Sequence, residues 1–97
     1  MKQLEISGEM TIFTAAAQKA ELLDFLQSGK ELEINLGKVT ELDTAGLQLL
    51  ILAKREAAKS ARTLRFVMHS KVVRDILELA NLTTGFGDQV VLAHGEE

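Results

Sequence analysis

Two kinds of residue pattern alternate along this chain, and their order limits the folds that it can adopt. In three runs, apolar and polar side chains alternate with the period of a strand that has one solvated face, and these are residues 2–7, 31–36 and 63–68. Three other runs contain helix-forming residues with apolar side chains every three or four positions, and these are residues 15–27, 47–59 and 71–80. A short apolar run at residues 90–92 predicts a last edge strand.

The resulting order, in which helices separate strands, predicts an α/β domain. We expect a mixed, mostly parallel sheet of four to five strands that are connected by crossover helices. A length of 97 residues suits one compact domain, so residues 1–97 are expected to form a single unit. In parallel sheets, ligands and active groups collect beyond the carboxyl ends of the strands. The residues that follow the second strand region are therefore the best candidates for a functional site.

Glycine and short polar residues must separate these elements, because the chain contains no proline. Gly8-Glu9 is expected to end the first strand, and residues 10–13 fit either a short strand or an extended connection. Gly37-Lys38 is expected to turn the chain before residues 39–42 lead into the second helix. The apolar face of that helix is expected to comprise Leu47, Leu50, Ile51 and Ala58.

Charge and composition argue against several functions. A net charge of −3 without a basic cluster argues against nucleic-acid binding, which depends on clustered cations. The chain has no cysteine and hence no disulfide, and no apolar run approaches the ~18 residues of a membrane span, so no membrane insertion is expected. Residues 1–5 contain no apolar signal segment, which favours a cytoplasmic protein.

The sequence contains no recognisable set of catalytic or metal-binding residues. His69 and His94 have no cysteine or second histidine at ligand spacing, so no metal site is expected. The glycine motifs that bind phosphates or dinucleotides are absent, as is the Gly-x-Ser-x-Gly motif of nucleophilic serines. The sequence therefore predicts a protein that is not an enzyme and needs no cofactor.

The junction before the second helix carries the most suggestive chemistry. Asp43 and Thr44 are both suitable N-caps, because a side-chain oxygen there can accept a hydrogen bond from an N–H two or three residues further on. Capping alone would explain either residue. Alternatively, the Thr44 hydroxyl serves a partner, since the small residues Ala45 and Gly46 would leave it uncovered. A phosphate on Thr44 would lie beside free helix N–H groups, while Asp43 would repel it.

The stretch Asp43-Thr44-Ala45-Gly46-Leu47 resembles the Asp-Ser/Thr-small-Gly-Leu signature of the STAS domain, which is found in bacterial anti-sigma factor antagonists and in the cytoplasmic tails of sulfate transporters. Gly8-Glu9-Met10 resembles the Gly-Glu-Leu that follows the family's first strand, with Thr11 at a position where Asp is frequent. Residues 32–35 with 39–42 resemble the family's strand before the motif and the approach to it. Residues 63–67 resemble its next strand, and residues 73–82 resemble its late helix. The resemblance covers nearly the whole chain and implies a STAS-like fold.

This resemblance implies a non-enzymatic protein that binds a partner protein. In the antagonists, a serine/threonine kinase that is itself an anti-sigma factor phosphorylates the hydroxyl residue after the motif aspartate, and only the unphosphorylated form binds it. Here that residue is Thr44, which implies reversible phosphorylation and a partner that is such a kinase or another histidine-kinase-like ATPase. The residues implied in partner binding are Glu9, Thr11, Asp43, Thr44, Ala45, Gly46 and Gln48.

The same resemblance implies an alternative function. A short chain with threonine in place of the commoner serine resembles the compact STAS proteins of chemotaxis operons or of the lipid-asymmetry transport system. In the latter system the STAS subunit binds the ATPase subunit of an ABC transporter. Under this alternative, Thr44 belongs to a constitutive interface and is not phosphorylated.

Overall fold

The computed structural model describes residues 1–79 of the chain. Its elements in chain order are β1 (Lys2–Met10), α1 (Ala15–Leu26), β2 (Glu31–Leu42), α2 (Thr44–Lys59), β3 (Thr63–Val67) and α3 (Lys71–Leu79). The predicted strand at residues 90–92 lies outside the described residues. Strands and helices alternate as the sequence patterns predicted.

The three strands form one parallel sheet in the order β1-β2-β3, with β2 in the centre. The predicted α/β class and parallel pairing are therefore confirmed. The described part of the chain contains three strands, however, where four to five were expected, and residues 10–13 do not form a strand of their own. Met10 ends β1, and the next residues turn into α1.

Two glycines that were expected to interrupt strands lie inside them. Gly8 has a φ of 81° at an irregularity of the β1–β2 ladder, and β1 continues beyond it to Met10. Gly37 lies within β2, where an added side chain would place its Cβ 2.9 Å from the Met68 carbonyl oxygen. The prediction of a turn at Gly37-Lys38 is wrong, because glycine serves here to let two backbone segments approach each other.

Strand β2 keeps one face buried although its apolar residues are unevenly spaced. Two register shifts against β1 each add one residue to β2, since Glu5 to Ser7 spans two positions while their partners, Asn35 and Lys38, span three. A bulge of this kind moves the following side chains to the other side of the strand. The buried apolar residues of β2 are Leu32, Ile34, Leu36, Val39 and Leu42.

Helices α1 and α2 pack against each other and supply their apolar faces to a shared core. Helix α1 buries Leu22 and Leu26, while α3 packs against β2 and buries Val73 and Leu77. The face that α2 buries consists of Gly46, Leu49, Leu50, Ala53 and Ala57. The prediction for this face was wrong at Ala58, which is exposed, and at Ile51, which is half-buried outside the core, and the helix is rotated so that Ala57 faces the core.

A row of polar side chains crosses the three strands and marks a solvated part of the sheet. Gln3, Glu33 and Arg65 occupy paired positions on the three neighbouring strands. The Gln3 amide donates to one oxygen of Glu33 at 3.2 Å, and Arg65 contacts the other oxygen at 2.5 Å. Cross-strand pairs of this kind contribute little stability when exposed, about 0–1 kcal/mol, but they explain the alternation in the sequence.

We expect the substitution Ile34→Ala to destabilise the protein by about 2–5 kcal/mol, because Ile34 is fully buried in the central strand and its truncation leaves a cavity. Ile12→Ala is a matched control, since this isoleucine is 70% exposed. Urea denaturation followed by circular dichroism measures both. Similar losses in the two variants would contradict the assignment of β2 to the centre of the core.

Candidate functional site

The carboxyl ends of β1 and β2 lie side by side at one edge of the sheet. Met10 pairs with Leu42, and each of these residues ends its strand. The turn of residues 11–14 follows β1 at this edge, and Asp43 with the start of α2 follows β2. The structure thus brings together two segments that the sequence separates by about thirty residues, at the type of location where parallel sheets place functional groups.

Asp43 links these two segments through its carboxylate. It is the N-cap of α2, with φ −112° and ψ −171°, and its Oδ1 accepts a hydrogen bond from the Gly46 N–H at 3.0 Å. Its Oδ2 accepts a second hydrogen bond from the Ile12 N–H at 2.9 Å. Its own backbone N–H donates to the Met10 carbonyl at 3.3 Å. The open choice between the two caps is resolved in favour of Asp43, and Thr44 begins the helix.

These contacts lower the pKa of the Asp43 carboxyl below its ordinary value of 3.8. The Gly46 N–H is the main cause, followed by the Ile12 N–H, because both donors stabilise the ionised carboxylate. The carboxylate is therefore charged at neutral pH. It holds the turn after β1 against the first turn of α2.

Gly46 is buried and lies directly against β1. A Cβ added at this position would lie 2.0 Å from the Met10 carbonyl oxygen and 2.6 Å from Leu42 Cδ1. The expectation that Gly46 leaves the approach to the hydroxyl open is wrong, because the residue faces the core and not the solvent. Its lack of a side chain instead allows α2 to approach the end of β1.

The hydroxyl of Thr44 is on an exposed residue, as expected for a group that meets a partner. Gln48, one helical turn further on, is also exposed, while Ala45 is half-buried. Residues four apart on a helix are neighbours on its surface, so Thr44 and Gln48 belong to one patch. The structure places these three residues of the predicted site together, and their role in partner binding stays a prediction.

Glu9, near the end of β1, and Thr11, in the turn that follows, are the other two predicted site residues and share one hydrogen-bond network. The Thr11 hydroxyl donates to Glu9 Oε1 at 2.5 Å. The Glu9 carbonyl accepts from the Thr14 hydroxyl at 3.2 Å and from the Gln18 amide at 2.9 Å. The Thr14 hydroxyl also accepts from the Thr11 N–H at 3.0 Å. These contacts fix the shape of the turn, so both residues have an evident structural role.

Two exposed apolar residues at the tip of this turn were not predicted from the sequence. Ile12 is 70% exposed and Phe13 is 90% exposed. Their backbone is held by the Asp43 carboxylate and by the Thr11 hydroxyl, which accepts from the Phe13 N–H at 3.2 Å. Two adjacent apolar residues in an otherwise aperiodic stretch were the only sequence signal. We call Ile12 and Phe13 the apolar tip.

A groove of about 400 Å³ borders Thr44 between the start of α2 and the end of α3. Its lining comprises Asp43, Thr44, Leu47, Ile76 and Leu79. Leu47 and Ile76 are half-buried, and Leu79 is 84% exposed at the end of α3. The Thr44 hydroxyl therefore has apolar surface beside it as well as the Asp43 carboxylate.

Two other kinds of feature are absent from residues 1–79. Histidine, aspartate and glutamate do not cluster there in groups of three or more that could hold a metal ion. The helices of this part of the chain fall short of the length and apolar content that crossing a membrane requires.

Sequence and structure comparisons agree with this architecture. The family model described as "Mlab, STAS domain" matches residues 2–92. The chain belongs to this STAS-domain family. No curated protein matches the chain significantly.

Two solved structures show the same fold. An anti-sigma factor antagonist from Mycobacterium paratuberculosis has a TM-score of 0.76 and 24% sequence identity, over 89% of this chain and 74% of that chain. The anti-sigma factor antagonist SpoIIAA in its unphosphorylated form has a TM-score of 0.66 and 18% identity, over 91% of this chain and 76% of that one. The STAS-like fold that the sequence motif implied is thus confirmed.

The Asp43 contacts predict a specific pH dependence of stability. Because the pKa is lower in the folded state, the stabilisation by Asp43 is complete above the ordinary value of 3.8 and is lost as the pH falls through the folded-state pKa. As the pH falls from about 5 into the range below 3.8, the free energy of unfolding should therefore decrease less for Asp43→Asn than for the wild type. Urea denaturation at several pH values measures this. The exposed Asp24→Asn variant makes the same change in charge away from the bridge and is the control, and parallel curves for the wild type and Asp43→Asn would contradict the bridge.

We expect Gly46→Ala to destabilise the protein by about 1–3 kcal/mol or more, because the added methyl group collides with the backbone carbonyl of Met10. Gly29→Ala provides a control, since its added Cβ would meet only the flexible Lys2 side chain at 3.3 Å and Leu32 at 3.7 Å. Thermal unfolding compares the two variants. Equal melting temperatures would show that the close approach of α2 to β1 is not needed.

Proposed function

We propose that this STAS-domain protein is a non-enzymatic module that binds a partner protein through the surface around Thr44, and that phosphorylation of Thr44 switches this binding. The observation that carries the proposal is the exposed hydroxyl of Thr44 at the same edge as the rigidly held apolar tip. The partner is a serine/threonine kinase anti-sigma factor or another histidine-kinase-like ATPase. Because such a kinase consumes ATP, the protein acts in the cytoplasm.

The local electrostatics explain why a phosphate at Thr44 would act as a switch. A phosphothreonine carries a charge of about −1.5 to −2, and it would be adjacent to the ionised Asp43. The Gly46 N–H already donates to Asp43, so it is not free to bind the phosphate. The modification would therefore change the charge of an exposed surface without creating a strong internal contact. A complementary partner surface would be repelled while the core stays intact.

The apolar tip supplies the binding energy that the hydroxyl alone cannot provide. Burying a large apolar side chain contributes about 1.5–3 kcal/mol, and a backbone that is already held in place loses little conformational freedom on binding. The turn below Phe13 is fixed by several hydrogen bonds. Phe13 is thus a suitable anchor for a partner pocket, with Thr44 at its border.

A second candidate is a constitutive subunit that docks on an ATPase without phosphorylation, as part of a chemotaxis-associated complex or of a lipid-asymmetry ABC transporter. The family description that names Mlab and the threonine at position 44 favour it. Both candidates use the same surface. They differ in whether charge at position 44 controls binding.

We expect Thr44→Glu to lower partner capture by at least about tenfold, a change of ~1.4 kcal/mol, because the new carboxylate lies beside Asp43 in the interface. Tagged protein expressed in its own cells is used as bait, and the bound proteins are quantified by mass spectrometry. Thr63→Glu is a matched control, since Thr63 is exposed at the opposite end of the sheet.

The same preparation tests modification directly. Labelling with radioactive ATP and the captured kinase should mark the wild type and leave Thr44→Ala unlabelled. Equal labelling of both proteins would rule out Thr44 as the acceptor. A partner that binds Thr44→Glu as tightly as the wild type would instead support the constitutive subunit.

A further inference from the structure

A second groove lies between α1 and α2, on the side of the Thr44 patch away from α3. Its volume is about 300 Å³, and its apolar lining is formed by Leu49, Ile51 and Leu52. Leu49 is buried, whereas Ile51 and Leu52 are half-buried and expose part of their side chains to the groove. The groove therefore offers apolar surface that the core does not use.

Two cations border this apolar surface from opposite helices. Lys19 projects from α1 and Arg55 from α2, and both are exposed. Neither forms an ion pair with a carboxylate within residues 1–79, although other basic residues of this part do, such as Lys38 with Glu5 and Lys71 with Asp75. In a chain with a net charge of −3, these unpaired cations create a local positive field over an apolar surface.

The groove is continuous with the patch around Thr44. Ala45 and Gln48 line its near end, and both are close to Thr44 on the first turns of α2. From Ala45 to Arg55 the helix advances ten residues, which corresponds to roughly 15 Å. A partner that covers Thr44 could therefore place a helix of two to three turns along the whole groove.

We propose that the groove between α1 and α2 docks an acidic amphipathic helix of the partner. Apolar side chains of that helix pack on Ile51 and Leu52, and its carboxylates meet Lys19 and Arg55. Charge complementarity selects an acidic segment over a basic one, and the apolar lining selects an amphipathic segment over a purely charged one. This inference rests on the proposed function in one respect, that the partner which covers Thr44 supplies the helix.

The test uses two fluorescein-labelled peptides of about 18 residues, long enough to form a helix on docking. Both carry the same Leu/Ile stripe, flanked by glutamates in one peptide and by lysines in the other. Fluorescence anisotropy measures their binding to the wild type and to the double variant Lys19→Glu/Arg55→Glu. The control is Lys2→Glu/Lys30→Glu, which makes the same change in net charge at the opposite end of the sheet.

We expect the acidic peptide to bind the wild type saturably and the lysine peptide to bind at least about tenfold more weakly. The Lys19→Glu/Arg55→Glu variant should weaken binding of the acidic peptide by at least about tenfold, and the control variant by less than about twofold. Binding should also weaken as salt is raised, because the rim charges are exposed. Amide resonances of α1 and α2 should shift on addition of the acidic peptide.

Several results would overturn this assignment. These are no binding of the acidic peptide, equal binding of both peptides, or an equal loss in the control variant. Oleate below its micellar concentration serves as a further probe, and amide shifts in α1 and α2 with oleate but not with the acidic peptide would make the groove a site for a small amphiphile. None of these readouts depends on charge at Thr44, so a failed groove and a failed Thr44 switch are distinguishable.

Discussion

The arrangement of the candidate site at the carboxyl edge of the sheet depends on one carboxylate that joins two distant segments. Asp43 accepts hydrogen bonds from the N–H groups of Gly46 and Ile12, and so it ties the first turn of α2 to the turn after β1. This bridge forms only because α2 comes close to the Met10 carbonyl, which a side chain at position 46 would prevent. The Thr44 hydroxyl and the apolar tip owe their relative positions to these two contacts.

Part of this small parallel sheet, near the start of its strands, remains solvated. Parallel sheets are usually covered on both faces, and their strands then read as continuous apolar runs. Here the described strands alternate, because Gln3, Glu33 and Arg65 form a polar row across one part of the sheet. The bulges of β2 preserve this division between polar and apolar sides up to Leu42, where the strand delivers the chain to Asp43.

The surface at this edge combines chemically different groups over a short distance. A rigid apolar tip, an exposed hydroxyl beside an ionised carboxylate, and a positively bordered apolar groove lie next to one another. Apolar contacts supply affinity in such surfaces, whereas charges mainly supply selectivity and control. This division is compatible with the proposed function, in which the protein binds a partner and releases it when Thr44 gains charge.

The sequence by itself determined the order of the elements, the α/β class and the Asp43–Thr44 motif, because these depend on local periodicity and on capping chemistry. It did not determine that β1 and β2 run through Gly8 and Gly37, since a glycine at a bulge or a close backbone approach looks in sequence like a glycine in a turn. Only the tertiary structure shows that Gly46 lies in the core and that the side chains of Ile12 and Phe13 are exposed to solvent. Burial depends on contacts between segments about thirty residues apart, which no local pattern records.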